Sequence, residues 1–339
     1  MTEPLSAPGK IFLAGEYAVL DGRAALVMAV DRRLHASWEP ARIVQILHQP
    51  SGFLWDGGRP PEELRFAARA AGLGLRLCAE EGLPAHPFRL VYQDDFSDGG
   101  VKLGLGGSAA ASVIAVRAAC AAQGRALSDT ETLRLALAAH FIEQDGAGSG
   151  ADVAACALGG VQQIRAQIPW RTAEEAMALP AGEILKADPL VVRQVKVPPE
   201  ARFLLAFTGN SADTRALVRR VRAYRESDAR GWRALAAEIE GCSESLRSAL
   251  EADARDQALD AVRAAAAAMA KLGEEAKAGI ITAELTLACA LAAAAGAAGK
   301  PSGAGGGDCA VVLAFGDDAR DRAEAALRLH FRVLRVAPA

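Results

Sequence analysis

Three glycine-rich segments are candidate phosphate-binding sites. They lie at 104–109, 146–150 and 303–307, and each has serine, aspartate or lysine beside it. Glycine lets backbone N–H groups approach a phosphate closely, and the N-terminus of a following helix adds oriented dipoles and unpaired donors. Ser108 stands where a hydroxyl can face a phosphate or its magnesium ion. A plain turn explains any one such loop, but three in one chain favour phosphate chemistry.

Two standard phosphate loops can be tested against the sequence. The Walker pattern GxxxxGK[ST] is absent. A relaxed dinucleotide pattern, G-x-G-x-x-A, occurs at Gly104, Gly106 and Ala109, but a polar loop precedes it where a buried strand is needed. The acid expected about 20 residues later falls in Ser128-Asp129, which is typical of a helix cap. A dinucleotide-binding fold is therefore not favoured.

Periodicity and turn signals predict the elements that hold these loops. Apolar alternation in the first 30 residues predicts strands, with Asp21-Gly22 as a hairpin turn. Helical spacing predicts helices at 62–82 and 129–144, the second capped by Ser128 with Glu131 three residues on. An apolar helix follows the 104–109 loop. Further strands are predicted at 88–92, 203–207 and 310–315, and Ala-rich helices at about 228–250, 254–272 and 282–296.

Composition limits the class of protein. The chain has 339 residues, 51% hydrophobic and 23% charged, which is typical of a globular protein of about two domains. A net charge of −3 gives no general basic field for nucleic acid or an anionic membrane. The uncharged stretch 285–299 is shorter than the roughly 20 apolar residues of a membrane span. We expect neither nucleic-acid nor membrane partners.

The six cysteines show neither CxxC pairs nor metal-ligand spacing to a histidine. We predict that they are small core residues and that zinc is not bound. The N-terminus lacks the basic-then-apolar pattern of a signal peptide. These features together predict a cytoplasmic protein.

Three segments resemble, in order and placement, the motifs of the GHMP kinase superfamily: APGKIFLAGEYAVLDG (7–22), KLGLGGSAAASV (102–113) and KPSGAGGGDC (300–309). The resemblance spans nearly the whole chain. It implies an α+β, two-domain GHMP kinase fold, with an N-terminal domain (1–190) related to a ribosomal-protein fold and a ferredoxin-like C-terminal domain (191–339). The polar stretch 165–200 is interpreted as the joint between them. ATP and a small-molecule acceptor are expected in the cleft.

The resemblance also implies the site residues. Lys10, Lys102 and Asp152 are the expected catalytic group, and Ser108 is the expected Mg²⁺ ligand. The ATP loop is expected to comprise Gly104, Leu105, Gly106, Gly107, Ser108 and Ala109. The acceptor is expected to contact Glu16, Tyr17, Ser149, Gly150, Thr214, Arg215, Gly303, Gly305, Gly306 and Asp308. His140 and His330, by contrast, lie at predicted helix or helix-end positions and are expected from that placement to be structural.

Within the superfamily the phosphomevalonate kinase branch is most similar, through Tyr17, Lys102, AHFIEQDGAGSGADVAA (139–155) and FTGNSADTRALV (207–218). This likeness implies transfer of the γ-phosphoryl group of ATP to 5-phosphomevalonate. An acceptor phosphate is already anionic near neutral pH, so it needs cations more than a base. The alternatives are a mevalonate kinase or another kinase acting on an alcohol, and a non-catalytic ligand-sensing homologue. A homodimer is an open alternative to a monomer.

Three positions depart from the family pattern. Gly107 replaces a common serine, which leaves Ser108 alone to serve the metal. Asp213 replaces a serine before Thr214, where an acid sits badly beside a substrate phosphate. The position of the magnesium-binding glutamate of mevalonate kinases is Phe141 here, with Glu143 nearby. The acceptor and the second metal ligand are therefore the least determined parts of the site.

Overall fold

A computed structural model describes residues 4–94, 96–98, 101–209 and 213–339. The first part of the chain contains strands β1 (Pro4–Ala14), β2 (Ala25–Pro40), β3 (Gln45–His48), β4 (Phe53–Trp55), β5 (Phe88–Asp94), β6 (Ser97–Asp98), β7 (Val101–Lys102), β8 (Val161–Ala166) and β9 (Leu190–Gln194). Its helices are α1 (Arg65–Glu80), α2 (Gly107–Ala122), α3 (Asp129–Glu143), α4 (Ala151–Leu158), α5 (Ala173–Ala178) and α6 (Ala181–Lys186), with a short 3₁₀ helix at Ala18–Asp21.

The second part begins at β10 (Ala201–Phe207) and also mixes helices with strands. Its helices are α7 (Thr214–Ser227), α8 (Ala229–Glu251), α9 (Arg255–Glu275), α10 (Ala283–Ala294) and α11 (Asp317–Arg328). Its remaining strands are β11 (Ala298–Pro301), β12 (Cys309–Phe315) and β13 (Arg332–Val336). The predicted strands and helices are confirmed with shifts of a few residues at their ends. The hairpin turn predicted at Asp21-Gly22 is wrong, because Ala18–Asp21 form a 3₁₀ helix with Gly22 as its C-cap.

The first sheet is organised around the long strand β2. The strand order is β4-β3-β5-β2-β8-β9, and β1 pairs with β2. The early part of β2 pairs with β8 and the later part with β5, while β1 runs antiparallel along it. The almost wholly apolar helix α2 packs against β1 and β2 and between α1 and α3, so most of its surface is buried. This packing fixes the start of α2 beside β1.

The second sheet separates two apolar cores. Its four antiparallel strands are ordered β11-β12-β10-β13. Side chains alternate across a strand, so Phe203 and Leu205 of β10 join the main core while Leu204 and Ala206 face a second core under α10 and α11. Burial on both faces explains why β10 and β12 are continuous apolar runs rather than alternating ones.

Buried contacts join the two parts of the chain. Ser302 Oγ accepts from the N–H of Phe12 and donates to its carbonyl, at 3.2 Å each. On α8, Glu240 accepts from Arg23 at 2.8 Å and from the N–H of Ala24 at 3.0 Å, and it also pairs with Arg165. The main apolar core runs from β1 into α8 and α9 without interruption. The parts therefore meet through a packed interface.

The change of sheet partner locates the boundary between these parts. β9, at Leu190–Gln194, pairs with β8 in the first sheet, whereas β10 starts the second. The stretch 165–200 contains α5, α6 and β9, which belong with the first sheet and its helices. We propose the segment 195–200 as the joint, slightly later than the expected 190/191.

Two further expectations concern the membrane and the cysteines. In the described ranges no helix has the length and apolar character needed to cross a membrane. All six cysteines are free, and all except the half-buried Cys289 are buried. Their prediction as small core residues is confirmed.

The capping box of α3 is confirmed and gives a pH-dependent prediction. Arg125 above all, then the N–H of Ser128, holds the pKa of Glu131 at about 2, below its ordinary 4.5. A lowered carboxyl pKa stabilises the fold above about pH 4.5, and this contribution is lost as pH falls toward 2. Glu131→Gln should therefore lower the free energy of unfolding by about 1 kcal/mol at pH 7. The difference from wild type in urea denaturation should shrink between pH 5 and pH 3; a constant difference would contradict the assignment.

Candidate active site

The 104–109 loop ends in an open helix N-terminus. Gly106 has φ 81°, a left-handed conformation that suits glycine, and its carbonyl accepts from the N–H groups of Ala109 and Ala110. Helix geometry leaves the N–H groups of Gly107 and Ser108 without intrahelical partners. The Leu105 and Ala109 side chains are buried, so these residues offer backbone groups to a ligand. This start of α2 is suited to an anion.

Lys10 of β1 lies across this helix start. Its N–H donates to the carbonyl of Leu105 at 2.8 Å. A Cβ on Gly106 would lie only 2.8 Å from Cγ and Cε of Lys10, so the alkyl chain occupies the space that a side chain would need. Glycine is therefore required at position 106 both by the left-handed φ and by the Lys10 side chain that lies against it. The predicted lysine and the predicted 104–109 loop thus belong to one site.

A second helix starts at the same site. Gly150, with φ 74°, precedes α4, and a Cβ there would lie 2.4 Å from Leu137 Cδ1. Ser149 Oγ accepts from the N–H of Ala151 at 3.4 Å. Asp152 Oδ1 accepts from the N–H of Val153 at 2.9 Å, while its side chain keeps 24% of its surface exposed. Ser149 thus lies beside the helix start, and Asp152 presents a carboxylate there.

His140 of α3 joins the two helix starts. Its Nε2 lies 3.1 Å from Ser108 Oγ and 3.7 Å from Asp152 Oδ2. Burial lowers the pKa of His140, the charge of Asp152 raises it, and the charges of Lys10 and Arg65 lower it. Ser108 and Asp152 therefore meet at one buried imidazole, close enough to Lys10 for its charge to act on the ring. The sequence interpretation of His140 as structural did not include these contacts; its place in 139–155, beside a predicted loop, was the available signal.

The first and third motifs are joined by a buried ion pair. Lys300 is fully buried and donates to the carboxylate of Glu16, which is 4% exposed, and to the carbonyl of Pro301. Tyr17 donates to the carbonyl of Ala304 at 2.6 Å, and burial followed by the Glu16 charge raises the pKa of its phenol. Glu16 and Tyr17 thus hold the third loop; Glu16 is expected at the acceptor, but its carboxylate is engaged by Lys300.

The third loop turns back toward the first glycine loop. The N–H of Gly306 donates to the carbonyl of Ile280 at 2.7 Å, and a Cβ on Gly305 would approach that carbonyl to 2.3 Å. Nothing lies within 4 Å of a Cβ built on Gly303. Asp308 has φ 49°, and its carboxyl carbon lies 3.6 Å from the position of a Cβ on Gly104. The loop therefore places an acid beside the candidate phosphate loop.

Other predicted site residues lie at the surface or outside the part of the chain that the structure describes. Asp213 caps α7, accepting from the N–H of Ala216 at 3.0 Å, which explains an acid at that position. Thr214 is exposed, and the exposed Arg215 pairs with Glu62 at 3.7 Å. The backbone of Lys102 pairs with Ser97, but its side chain lies outside the described structure. Residues 210–212 of the 207–218 motif also lie outside the described residues.

A cavity of about 340 Å³ adjoins the first motif and the 146–150 loop. Its lining includes Tyr17, Gly148, Ser149, Arg222 and Arg225. A larger cavity of about 650 Å³ is lined instead by 194–199, 201–203, 335–338 and their neighbours, and none of the predicted site residues lines it. The smaller cavity is the candidate acceptor space, because it adjoins predicted site residues and the larger one does not.

The side chains of the site show what kind of magnesium ion they could bind. In the described part of the chain, no cluster of three or more His, Cys, Asp or Glu side chains is arranged to hold a metal. The Ser108 hydroxyl stands partly exposed at the start of α2, within hydrogen-bond distance of His140. A single protein oxygen suits Mg²⁺ that takes its other ligands from phosphates and water. The residues therefore fit a metal carried by a nucleotide.

Comparison with known proteins decides the family. The model of the GHMP kinase N-terminal domain matches residues 65–160, and that of the GHMP kinase C-terminal domain matches 246–333. A phosphomevalonate kinase from Streptomyces sp. (strain CL190) is 33% identical over 93% of this chain and 90% of its own length. The chain belongs to the GHMP kinase family. It is therefore an ATP-dependent phosphotransferase.

Two further comparisons describe this GHMP kinase. A mevalonate kinase from Pyrococcus abyssi is 28% identical, over 92% of this chain and 88% of its own. The Streptococcus pneumoniae phosphomevalonate kinase, solved in complex with phosphomevalonate and AMPPNP, has a TM-score of 0.87 at 22% identity, covering 99% of this chain and 100% of its own. The predicted two-domain α+β GHMP kinase fold is confirmed.

The Glu16–Lys300 pair gives the prediction for this GHMP kinase site. Lys300→Met leaves a buried carboxylate without its partner, so it should lower the free energy of unfolding by roughly 3–5 kcal/mol. Glu16→Gln combined with Lys300→Met should recover part of that loss, because the isolated charge is gone. Denaturant titration measures both.

The control is Lys271→Met, which breaks an exposed pair with Glu238. Lys271→Met should lower the free energy of unfolding by less than about 1 kcal/mol. Equal losses in the two lysine variants would show that burial does not matter at Lys300.

Proposed function

We propose that the chain transfers the γ-phosphoryl group of ATP to the phosphate of 5-phosphomevalonate. A phosphate oxygen of the acceptor forms a bond to the γ-phosphorus while the bond from that phosphorus to the β–γ bridging oxygen breaks. The products are ADP and 5-diphosphomevalonate. The observation that carries the proposal is the 33% identity to a phosphomevalonate kinase across nearly the whole chain.

The geometry supports a reaction between two anions. Two helix N-termini, at Gly107 and Ala151, lie at one site, and each supplies a partial positive charge. Lys10 adds a full charge across the first of them. Phosphoryl transfer depends mainly on such positioning and charge neutralisation. The first helix start is the proposed place for the ATP phosphates, and the second faces the acceptor.

Several further residues have a proposed part. Gly104, Gly106 and Gly107 let the loop approach the phosphates. Asp152 orients Lys10 and the acceptor from the start of α4. When bound with ATP, Mg²⁺ would be held by Ser108 Oγ and would neutralise phosphate charge. Tyr17, Ser149 and the arginines of the smaller cavity stand on the proposed acceptor side.

An acceptor assay tests the proposal. Purified protein with ATP and Mg²⁺ is offered 5-phosphomevalonate, mevalonate and a panel of other alcohols in parallel, and ADP is measured. ADP release should depend on 5-phosphomevalonate. Faster turnover on mevalonate would favour the alcohol-kinase alternative, and ATP binding without turnover on any acceptor would indicate a ligand-sensing homologue.

Asp152→Asn gives a second test of the proposed roles. Loss of the carboxylate should lower kcat by roughly 10²-fold or more, because Asp152 then no longer orients Lys10 and the acceptor for transfer. The KM for ATP should change little. Asp256→Asn is the matched control, an exposed aspartate at the same second position of helix α9, and should leave kcat unchanged. An equal loss of ATP affinity in Asp152→Asn would place this residue at the nucleotide instead.

A further inference from the structure

His140 is a polar side chain enclosed by the protein interior. It lies near the end of α3 and is 1% exposed. Its ring packs at 4.7 Å, centroid to centroid, against Phe66 of α1. A Cβ on Gly148 would lie 4.0 Å from its Nδ1, so the 146–150 loop passes the opposite edge. A buried imidazole is costly unless its nitrogens have partners, which makes those partners informative.

The partners of Nε2 come from the two other helices of the site. Ser108 Oγ, in the first turn of α2, lies 3.1 Å from Nε2, within hydrogen-bond range. Asp152 Oδ2, in the first turn of α4, lies at 3.7 Å, which is an electrostatic contact rather than a hydrogen bond. One nitrogen therefore faces both the predicted nucleotide side and the predicted acceptor side.

The neighbouring charges favour one tautomer of the neutral ring. If Nε2 carried a lone pair, that lone pair would face the Asp152 carboxylate at 3.7 Å, which is repulsive. A proton on Nε2 instead directs a positive N–H dipole toward both oxygens. Nε2–H then donates to Ser108 Oγ. The hydroxyl keeps its own proton and one lone pair for a ligand outside the protein.

We propose that His140 is a positioning residue, whose Nε2–H fixes the Ser108 hydroxyl and holds the first turns of α2 and α4 at a set separation. It acts through Ser108 and Asp152 and does not itself touch the reacting atoms. This inference rests on the proposed function only for which helix start faces the nucleotide and which faces the acceptor. The contacts of His140 do not depend on that assignment.

A double-mutant cycle tests the coupling. His140→Phe keeps a ring against Phe66 but removes the nitrogen, and His140→Gln restores a side-chain N–H donor. His140→Phe should lower kcat/KM and the affinity for a non-hydrolysable ATP analogue by about 10- to 100-fold, and His140→Gln by clearly less. In a Ser108→Ala background, His140→Phe should lower kcat/KM and the analogue affinity by less than about a further twofold, because the hydrogen-bond partner of His140 is already gone.

Additive losses in the cycle would overturn the proposal, and so would equal losses for the Phe and Gln variants. The analogue-binding arm needs no acceptor, so a wrong acceptor assignment cannot be mistaken for failure here. Phe66→Leu is the packing control: it should lower Tm but change analogue affinity by less than twofold. A similar loss of affinity in Phe66→Leu would make His140 a packing residue only.

Histidine ¹⁵N NMR on the intact wild-type chain tests the tautomer without destabilising it. Five histidines contribute signals, and the one missing in His140→Gln is assigned. We expect a neutral ring protonated at Nε2, with its shifts altered in Ser108→Ala. An Nδ1-protonated ring, or shifts that ignore Ser108→Ala, would contradict the proposal even if the Phe variant fails to fold.

Discussion

The buried ion pair between Glu16 and Lys300 is the constraint on which the rest of the site depends. It joins a turn near the start of the chain to the last glycine-rich loop, in an interior where neither charge reaches water. Tyr17 and Ser302 strengthen the same contact between the first and third motifs with hydrogen bonds to main-chain groups. Because the loop is held from both sides, Asp308 comes to rest beside Gly104 rather than in open solvent.

The site itself is an arrangement of helix starts more than of side chains. The N-termini of α2 and α4 each follow a left-handed glycine, and each glycine is also required by a close neighbour, Lys10 in one case and Leu137 in the other. Helix dipoles and unpaired N–H groups supply fixed positive charge at little cost in flexibility. Such an arrangement suits a family whose members differ in acceptor but share a polyphosphate donor.

Local sequence was sufficient where a structure depends on a few adjacent residues. Ser128 and Glu131 predicted the start of α3 and its reciprocal hydrogen bonds, because a capping box is complete within four residues. The same reasoning did not find β4 at Phe53–Trp55, nor β9 inside the polar stretch 165–200. Those strands exist because a neighbouring strand offers them hydrogen bonds, and a strand three to five residues long carries little pattern of its own.

The amino-acid sequence by itself determined the glycine loops, the helix starts, the mixed α+β class and the family, since motifs and periodicity are written in consecutive residues. Tertiary structure alone decided that Glu16 meets Lys300, 284 positions away, and that His140 meets Ser108 and Asp152. The same histidine on an apolar helix face would be an ordinary core residue in another fold. Only the packing of three helices gives its nitrogen two oxygen neighbours, because a contact between distant segments depends on how the whole chain is packed.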